Sequence, residues 1–343
     1  MLNRFFNKKF LRRLGLEPVF LRSAKIDSLP FGEDFCDEEK NFPFWQKMIE
    51  KLAEKKLPWE SLLKSIPGPL KAHSLCKVAT EKERRTLLHL AVLDNKWDII
   101  SELKGVFSLN LKRDAYGLNA LELAQFLRRE ESIRILLPSA KKPFCKQPYV
   151  SFPDPIHPEL EALEYLPNPV FETQKGFEDI LARTKKAKSE DQVPPEKIWM
   201  GIYFEQEIEK GIHPSVSIRY IDAELGHGVF AEQKISPCAY VGEYTGIVQE
   251  RKAKHLKDKF YCLRYSVWEM GHRNFVIDAE KMGNFTRFIN HSSQPNLGMQ
   301  SVYLRGLPRM IFVALKEISS GEQLTFDYGN SFWKESQSIP KLI

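Results

Sequence analysis

The apolar positions of this chain change their spacing near its middle. Before about residue 138 they recur at intervals of three and four, the period of a helix. Segments 42–56 and 59–79 read as helices on this pattern. So do RTLLHLA at 85–91 and LNALELA at 118–124, and these two echo each other. Leu88 falls on Leu121 and Ala91 on Ala124, each pair 33 residues apart. Asp98-Ile99-Ile100-Ser101-Glu102-Leu103 supplies a second helix after the first stretch, and Ser132-Ile133-Arg134-Ile135-Leu136-Leu137 after the second. Asp114-Ala115-Tyr116-Gly117 makes the turn between the two units. Eight prolines then fall between 138 and 169. Proline removes a backbone donor and biases its predecessor to extended conformations, so this span reads as a linker or a strap along a surface. A charged stretch, RTKKAKSEDQVPPEK, follows at 183–197. From about Trp199 the signals become those of short strands and turns: Val216-Ser217-Ile218-Arg219-Tyr220 alternates, and Tyr240-Val241-Gly242-Glu243-Tyr244 and Arg309-Met310-Ile311-Phe312-Val313-Ala314 read as strands.

A 33-residue period resembles the ankyrin repeat, with two copies over about residues 82–138. A repeat buries its apolar face only on a neighbour, so the preceding helices are expected to act as a cap. A plain helical bundle with an accidental echo is the alternative. Either way the region is a packing or interaction module. The chain thus divides into a helical cap region (1–80), two ankyrin-like repeats (81–138), a Pro-rich linker or strap (139–198), a mostly-β domain (199–335) and a short tail (336–343).

Composition narrows the class. A chain of 343 residues exceeds one ordinary core, so more than one domain is expected. No window of 18 clean apolar residues is present, which argues against a transmembrane helix. With 51 basic against 45 acidic residues, the charge of +6 is a weak pointer to any polyanion, and no direct nucleic-acid site is evident. Five cysteines, at 36, 76, 145, 238 and 262, show no zinc spacing and suggest reduced thiols in a cytosol-like compartment. The basic start MLNRFFNKKFLRRLG lacks the apolar core of a secretory signal. The sequons Asn284-Phe285-Thr286 and Asn290-His291-Ser292 are therefore expected to go unused.

Four motifs in the second half carry the chemistry: LGHGVF (225–230), EYTG (243–246), GNFTRFINHSSQPN (283–296) and GEQLTFDYG (321–329), the last followed by Phe332-Trp333. In this order they resemble the SET-domain lysine methyltransferases, over roughly residues 199–335. Ankyrin-like repeats ahead of such a domain, and FDYG followed by FW, resemble the euchromatic histone methyltransferases. The resemblance implies an α+β multidomain fold, with a helical N-terminal domain before a mostly-β SET domain that has a knot-like C-terminal substructure. It implies S-adenosyl-L-methionine as cofactor and a protein substrate presenting a lysine, such as a histone tail. It makes Tyr328 the central catalytic tyrosine and Tyr244 its partner on the amine. It places Gly226, His227, Gly228, Tyr261, Asn290, His291 and Trp333 on the cofactor, and Phe326, Phe332 and Leu263 along the lysine channel. Phenylalanine at 326, two residues before the catalytic tyrosine, implies di- or trimethylated products.

The chain also departs from the family. The histone-specific branch has a cysteine where Ser293 stands, and three more in a zinc cluster after the domain. No cysteine follows Cys262, so no metal is expected, and the tail 330–343, the strap or the ankyrin-like module must close the lysine channel. In this the chain resembles compact zinc-free SET proteins of intracellular, chlamydia-like bacteria. The variable insert 247–273 is rich in Lys and Arg, which reads first as a solvated helix face. The expected function is a protein-lysine methyltransferase in the cytoplasm, or in a host nucleus if the chain is a bacterial effector. A catalytically weak SET and ankyrin scaffold is the alternative, as is a methyltransferase of a non-histone target recruited by the ankyrin-like module.

Overall fold

Helix α1 (Phe42–Ala53) forms because Trp45, Ile49 and Leu52, spaced by four and three, bury one face. In this computed structural model the described residues are 42–66, 74–137, 146–251, 261–265 and 275–329. Helix α2 (Trp59–Lys64) buries Trp59 and Leu62. Helices α3 (Leu87–Leu93) and α4 (Trp97–Leu103) return 33 residues later as α5 (Ala120–Phe126) and α6 (Glu130–Leu136). Helix α3 packs on α5 and α4 on α6. The caps repeat with the helices. Thr86 and His89 form a capping box, and Asn119 and Glu122 form the equivalent one 33 residues on. Burial pushes the His89 imidazole down to about 4, so it is neutral. Its Nδ1 accepts from Thr86 and its Nε2 donates to the Leu118 carbonyl at 3.0 Å, tying one helix pair to the next.

The proline-rich span is built into the sheets. It supplies β1 (Val150–Ser151), β2 (Glu164–Tyr165) and β3 (Val170–Phe171). Helix α7 (Gln174–Ser189) comes next and overlaps the charged stretch. Phe177, Ile180, Leu181, Thr184 and Ala187 lie on one buried face, so the lysines between them are the solvated side of an amphipathic helix. Helix α8 (Pro195–Tyr203) contains Trp199 and is followed by α9 (Glu205–Lys210).

The remaining strands are β4 (Val216–Asp222), β5 (Gly226–Ala231), β6 (Tyr240–Glu243), β7 (Ile247–Glu250), β8 (Cys262–Tyr265), β9 (Phe275–Asp278), β10 (Met282–Gly283), β11 (Asn290–His291), β12 (Leu297–Leu304), β13 (Leu307–Ala314) and β14 (Thr325–Phe326). Among the described residues they form small sheets ordered β1-β4-β5, β10-β2, β3-β7-β9-β8 and β11-β14-β12-β13-β6. The fold is therefore mixed, with helices in the N-terminal part and a β-rich second half. The strap pairs in parallel with β4, β10 and β7, covering edges that would otherwise be open.

One hairpin joins the two halves. Strands β12 and β13 turn through Arg305 and Gly306, both at positive φ, as a two-residue hairpin requires. The Arg305 guanidinium is held by Glu122 of α5 and by Glu205 and Glu209 of α9. Helix α8 lies so close to β12 that a Cβ at Gly201 would sit 2.0 Å from the Tyr303 carbonyl oxygen, so only glycine fits there. A continuous core runs from Trp45 through Leu123 and Phe177 to Phe326.

Candidate active site

The two most distinctive motifs are one physical unit. Strand β11, from the third motif, pairs in parallel with β14, from the fourth: Asn290 faces Thr325 and His291 faces Phe326. Strand β14 enters between β11 and β12, which are consecutive in the sequence. Asn296 bolts the entry in place. Its amide donates to the Gln323 carbonyl at 2.8 Å and to Glu322, and its oxygen accepts from the Thr325 N–H at 2.9 Å.

Beyond β14, the Tyr328 N–H donates to His291 Nδ1 at 3.2 Å. Burial lowers the His291 pKa, while Asp327, 3.8 Å away, opposes that shift. A neutral ring accepting at Nδ1 carries its proton on Nε2. The Tyr328 hydroxyl donates to the Ile289 carbonyl at 3.0 Å. Its ring packs on Phe326 at 4.7 Å, and Phe326 packs on Phe312 at 4.9 Å.

Tyr244 is buried, and its hydroxyl donates to the Tyr261 carbonyl at 2.8 Å. Burial raises the pKa of Tyr244 strongly, against an opposing pull from Arg287. Burial and then Tyr261 raise that of Tyr328. Both phenols are therefore neutral at physiological pH. They can donate and accept hydrogen bonds, but neither is a tyrosinate base.

The glycine motif approaches from the other side. Asn290 Nδ2 donates to the His227 carbonyl at 3.1 Å. A Cβ at Gly228 would meet Gln323 Nε2 at 2.8 Å, Ile221 at 2.6 Å and Asn290 at 3.3 Å, so bare backbone is required. The Phe288 ring bridges the two sides, 5.8 Å from His227 and 6.4 Å from Tyr261. The structure thus gathers Gly226, His227, Gly228, Tyr244, Tyr261, Asn290, His291, Phe326 and Tyr328. Leu263 sits on β8 opposite Ile277, half-buried against the core. Phe332, Trp333, the tail 330–343 and the basic cluster 252–259 lie outside the described residues. Both sequon asparagines are committed to internal bonds. Asn284 is buried, accepting from Thr286 N–H and donating to the Glu243 carbonyl, and Asn290 holds His227.

Sequence reasoning missed several supporting residues. Glu243 and Arg309 form a buried bidentate pair at 2.5 and 2.6 Å, and Arg309 also donates to Asn168 at 2.9 Å. Burial drives the Glu243 carboxyl upward and the facing guanidinium pulls it back. The pair anchors β6 immediately before Tyr244. Its signal was an arginine inside the apolar strand LPRMIFVA, where a charge needs a partner. Asn296 and Arg287 stood in plain sight within the third motif.

Residues 226–329 match the SET domain family model. The β-rich part of the chain is 35% identical over 144 residues to Histone-lysine N-methyltransferase ash1 of Drosophila melanogaster, which covers 39% of this chain and 6% of that protein. It is 32% identical over 131 residues to the human Histone-lysine N-methyltransferase EHMT1, covering 37% of this chain and 10% of that protein. It is 32% identical over 129 residues to the Histone-lysine N-methyltransferase SUV39H2 of Gallus gallus, covering 35% of this chain and 32% of that protein. The chain therefore spans less than a third of the length of each of these relatives.

Proposed function

We propose that this chain is a protein-lysine N-methyltransferase that uses S-adenosyl-L-methionine and acts on histone or histone-like lysines. The observation that carries this reading is the β11–β14 ladder, which sets the Asn290-bound glycine hairpin beside the neutral pair Tyr244 and Tyr328. The residues fit a polar cofactor at that hairpin. Gly228 leaves its backbone bare, and Gln323 Nε2 beside it is buried with no hydrogen-bond partner among the described residues. Gly226, His227, Gly228, Asn290 and His291 would hold the cofactor there. When bound, S-adenosyl-L-methionine supplies an electrophilic methyl group on a sulfonium. Tyr244 and Tyr328 hold their hydroxyls in fixed directions, which suits orienting an amine for in-line attack. Since neither is a base, the amine must lose its proton to water. The register and shared caps of α3–α6 support reading residues 81–138 as two ankyrin-like repeats, a module suited to recruiting a protein partner.

Incubation with labelled S-adenosyl-L-methionine, core histones and cell lysate tests the proposal. Label is expected on histone lysines. Intact cofactor binding without transfer to any protein would instead leave a scaffold.

Phe326 sets the product. It is buried against Phe312 and Tyr328 and brings no hydroxyl to hold a water beside the amine. Phe326→Tyr is expected to shift products from di- and trimethyl-lysine towards monomethyl-lysine. Mass spectrometry of the methylated histones checks this, and an unchanged distribution would remove the size-switch role.

A further inference from the structure

Arg287 is a buried cation that the mechanism above does not use. It lies in the third motif and is 8% exposed. Its guanidinium stacks 3.8 Å from the Tyr261 ring centre and 4.8 Å from that of Phe288. Among the described residues the guanidinium's one hydrogen bond runs from Nη2 to the Glu280 carbonyl, a neutral acceptor, at 3.1 Å. Nε is buried without a partner there. A buried charge is normally paired, because desolvation is otherwise uncompensated. Arg309 meets that expectation with Glu243, whereas Arg287 has no ion-pair partner among the described residues.

The surroundings indicate where its field acts. Tyr261 faces it from just before β8 and Tyr244 from the end of β6, and Tyr328 in turn interacts with both of these tyrosines. Asp278, at the end of β9, is the buried acid nearby, and its oxygens are engaged by Gln249 Nε2 at 2.9 Å and Glu280 N–H at 3.1 Å. The Glu280 side chain is exposed to solvent, which screens it. The positive charge therefore lies over the Tyr261 ring, whose backbone carbonyl holds the Tyr244 hydroxyl.

Resting on the methyltransferase reading, we propose that Arg287 is a fixed positive charge behind the Tyr261 ring which keeps the incoming lysine amine neutral. A free lysine carries its proton up to a pKa of about 10.4. A like charge close by in a dry wall disfavours the ammonium form. One N–H bond of the ammonium breaks, its electron pair stays on nitrogen, and the proton passes to solvent water. Cation–π stacking on Tyr261 offsets part of the burial of the charge without neutralising it. A carboxylate in the same place would oppose the effect.

The test is the pH profile of transfer to core histones by the wild type, Arg287→Lys and Arg287→Met. The wild type and the lysine variant should share an acid limb. The methionine variant's limb should move up by about one pH unit, making it about tenfold slower on the limb and equal to wild type at alkaline pH. Damage to packing alone would lower the rate at every pH and leave the limb in place, which would overturn the proposal. Asp278→Asn keeps Arg287 and removes the neighbouring negative charge, so its limb should move down; no shift there would also count against the field. A readout independent of turnover is the titration of a histone-tail peptide carrying 13C at lysine Cε, bound without methyl donor. Its bound amine should titrate below the free value with the wild type and higher with Arg287→Met, and equal midpoints would sink the idea. Absence of transfer by the wild type at any pH would remove the methyltransferase reading itself, a separate outcome.

Discussion

Tyr328→Phe should lower methyl transfer by roughly 100- to 1,000-fold, the loss expected for one preorganised hydrogen-bonding group at a reacting centre. The ring would stay where it is, since its packing on Phe326 and the backbone bond to His291 do not need the hydroxyl. What is lost is the hydroxyl bonded to the Ile289 carbonyl, the group that the proposed mechanism places on the amine. Removing that bond should cost about 1 kcal/mol of stability, too little to unfold the domain. The check is single-turnover transfer of labelled methyl to histones beside a thermal melt. Transfer within threefold of wild type would exclude the hydroxyl from the reaction.

Arg309→Leu should destabilise the fold by about 3–5 kcal/mol, because it leaves the Glu243 carboxylate buried and unpaired. Asn168 would lose its bond to the guanidinium as well. The pH dependence has a definite sign. Burial already drives the Glu243 pKa up, and without Arg309 nothing opposes it. A carboxyl whose folded pKa exceeds its unfolded one destabilises fully above the folded pKa, and the penalty fades as pH falls towards the unfolded value. Urea midpoints should therefore show a wider gap between variant and wild type at pH 8 than at pH 5.5. Replacing both partners, Glu243→Leu with Arg309→Leu, should recover much of the loss, since no lone charge remains buried. A double variant as unstable as Arg309→Leu would show that packing, rather than charge, sets the effect.

Much of the site was legible because its chemistry is concentrated in short runs. FINH and FDYG each put their polar residues next to apolar ones at a strand end, and the structure pairs those runs directly. The helix pairs were legible because a 33-residue period repeats both the apolar face and the cap position. The charged stretch 183–197 was harder to read. Its lysines dominate the local composition, while the apolar positions that define α7 begin earlier, at Phe177. The strap's destination was not readable at all, because pairing of two-residue strands depends on which edges lie open in the folded sheets.

By itself the sequence determined which residue types the site contains, their order, and the helical and strand periods that carry them. Those properties are local, set by side-chain chemistry and by spacing along the backbone. Only the tertiary structure decided that β14 passes between β11 and β12, that Arg309 finds Glu243, and that Arg287 lies against Tyr261 with no carboxylate partner among the described residues. These contacts join residues 26 to 66 positions apart, or depend on a charge lacking a neighbour. Burial sets the strength of each, and burial is a property of the packed chain rather than of any segment of it.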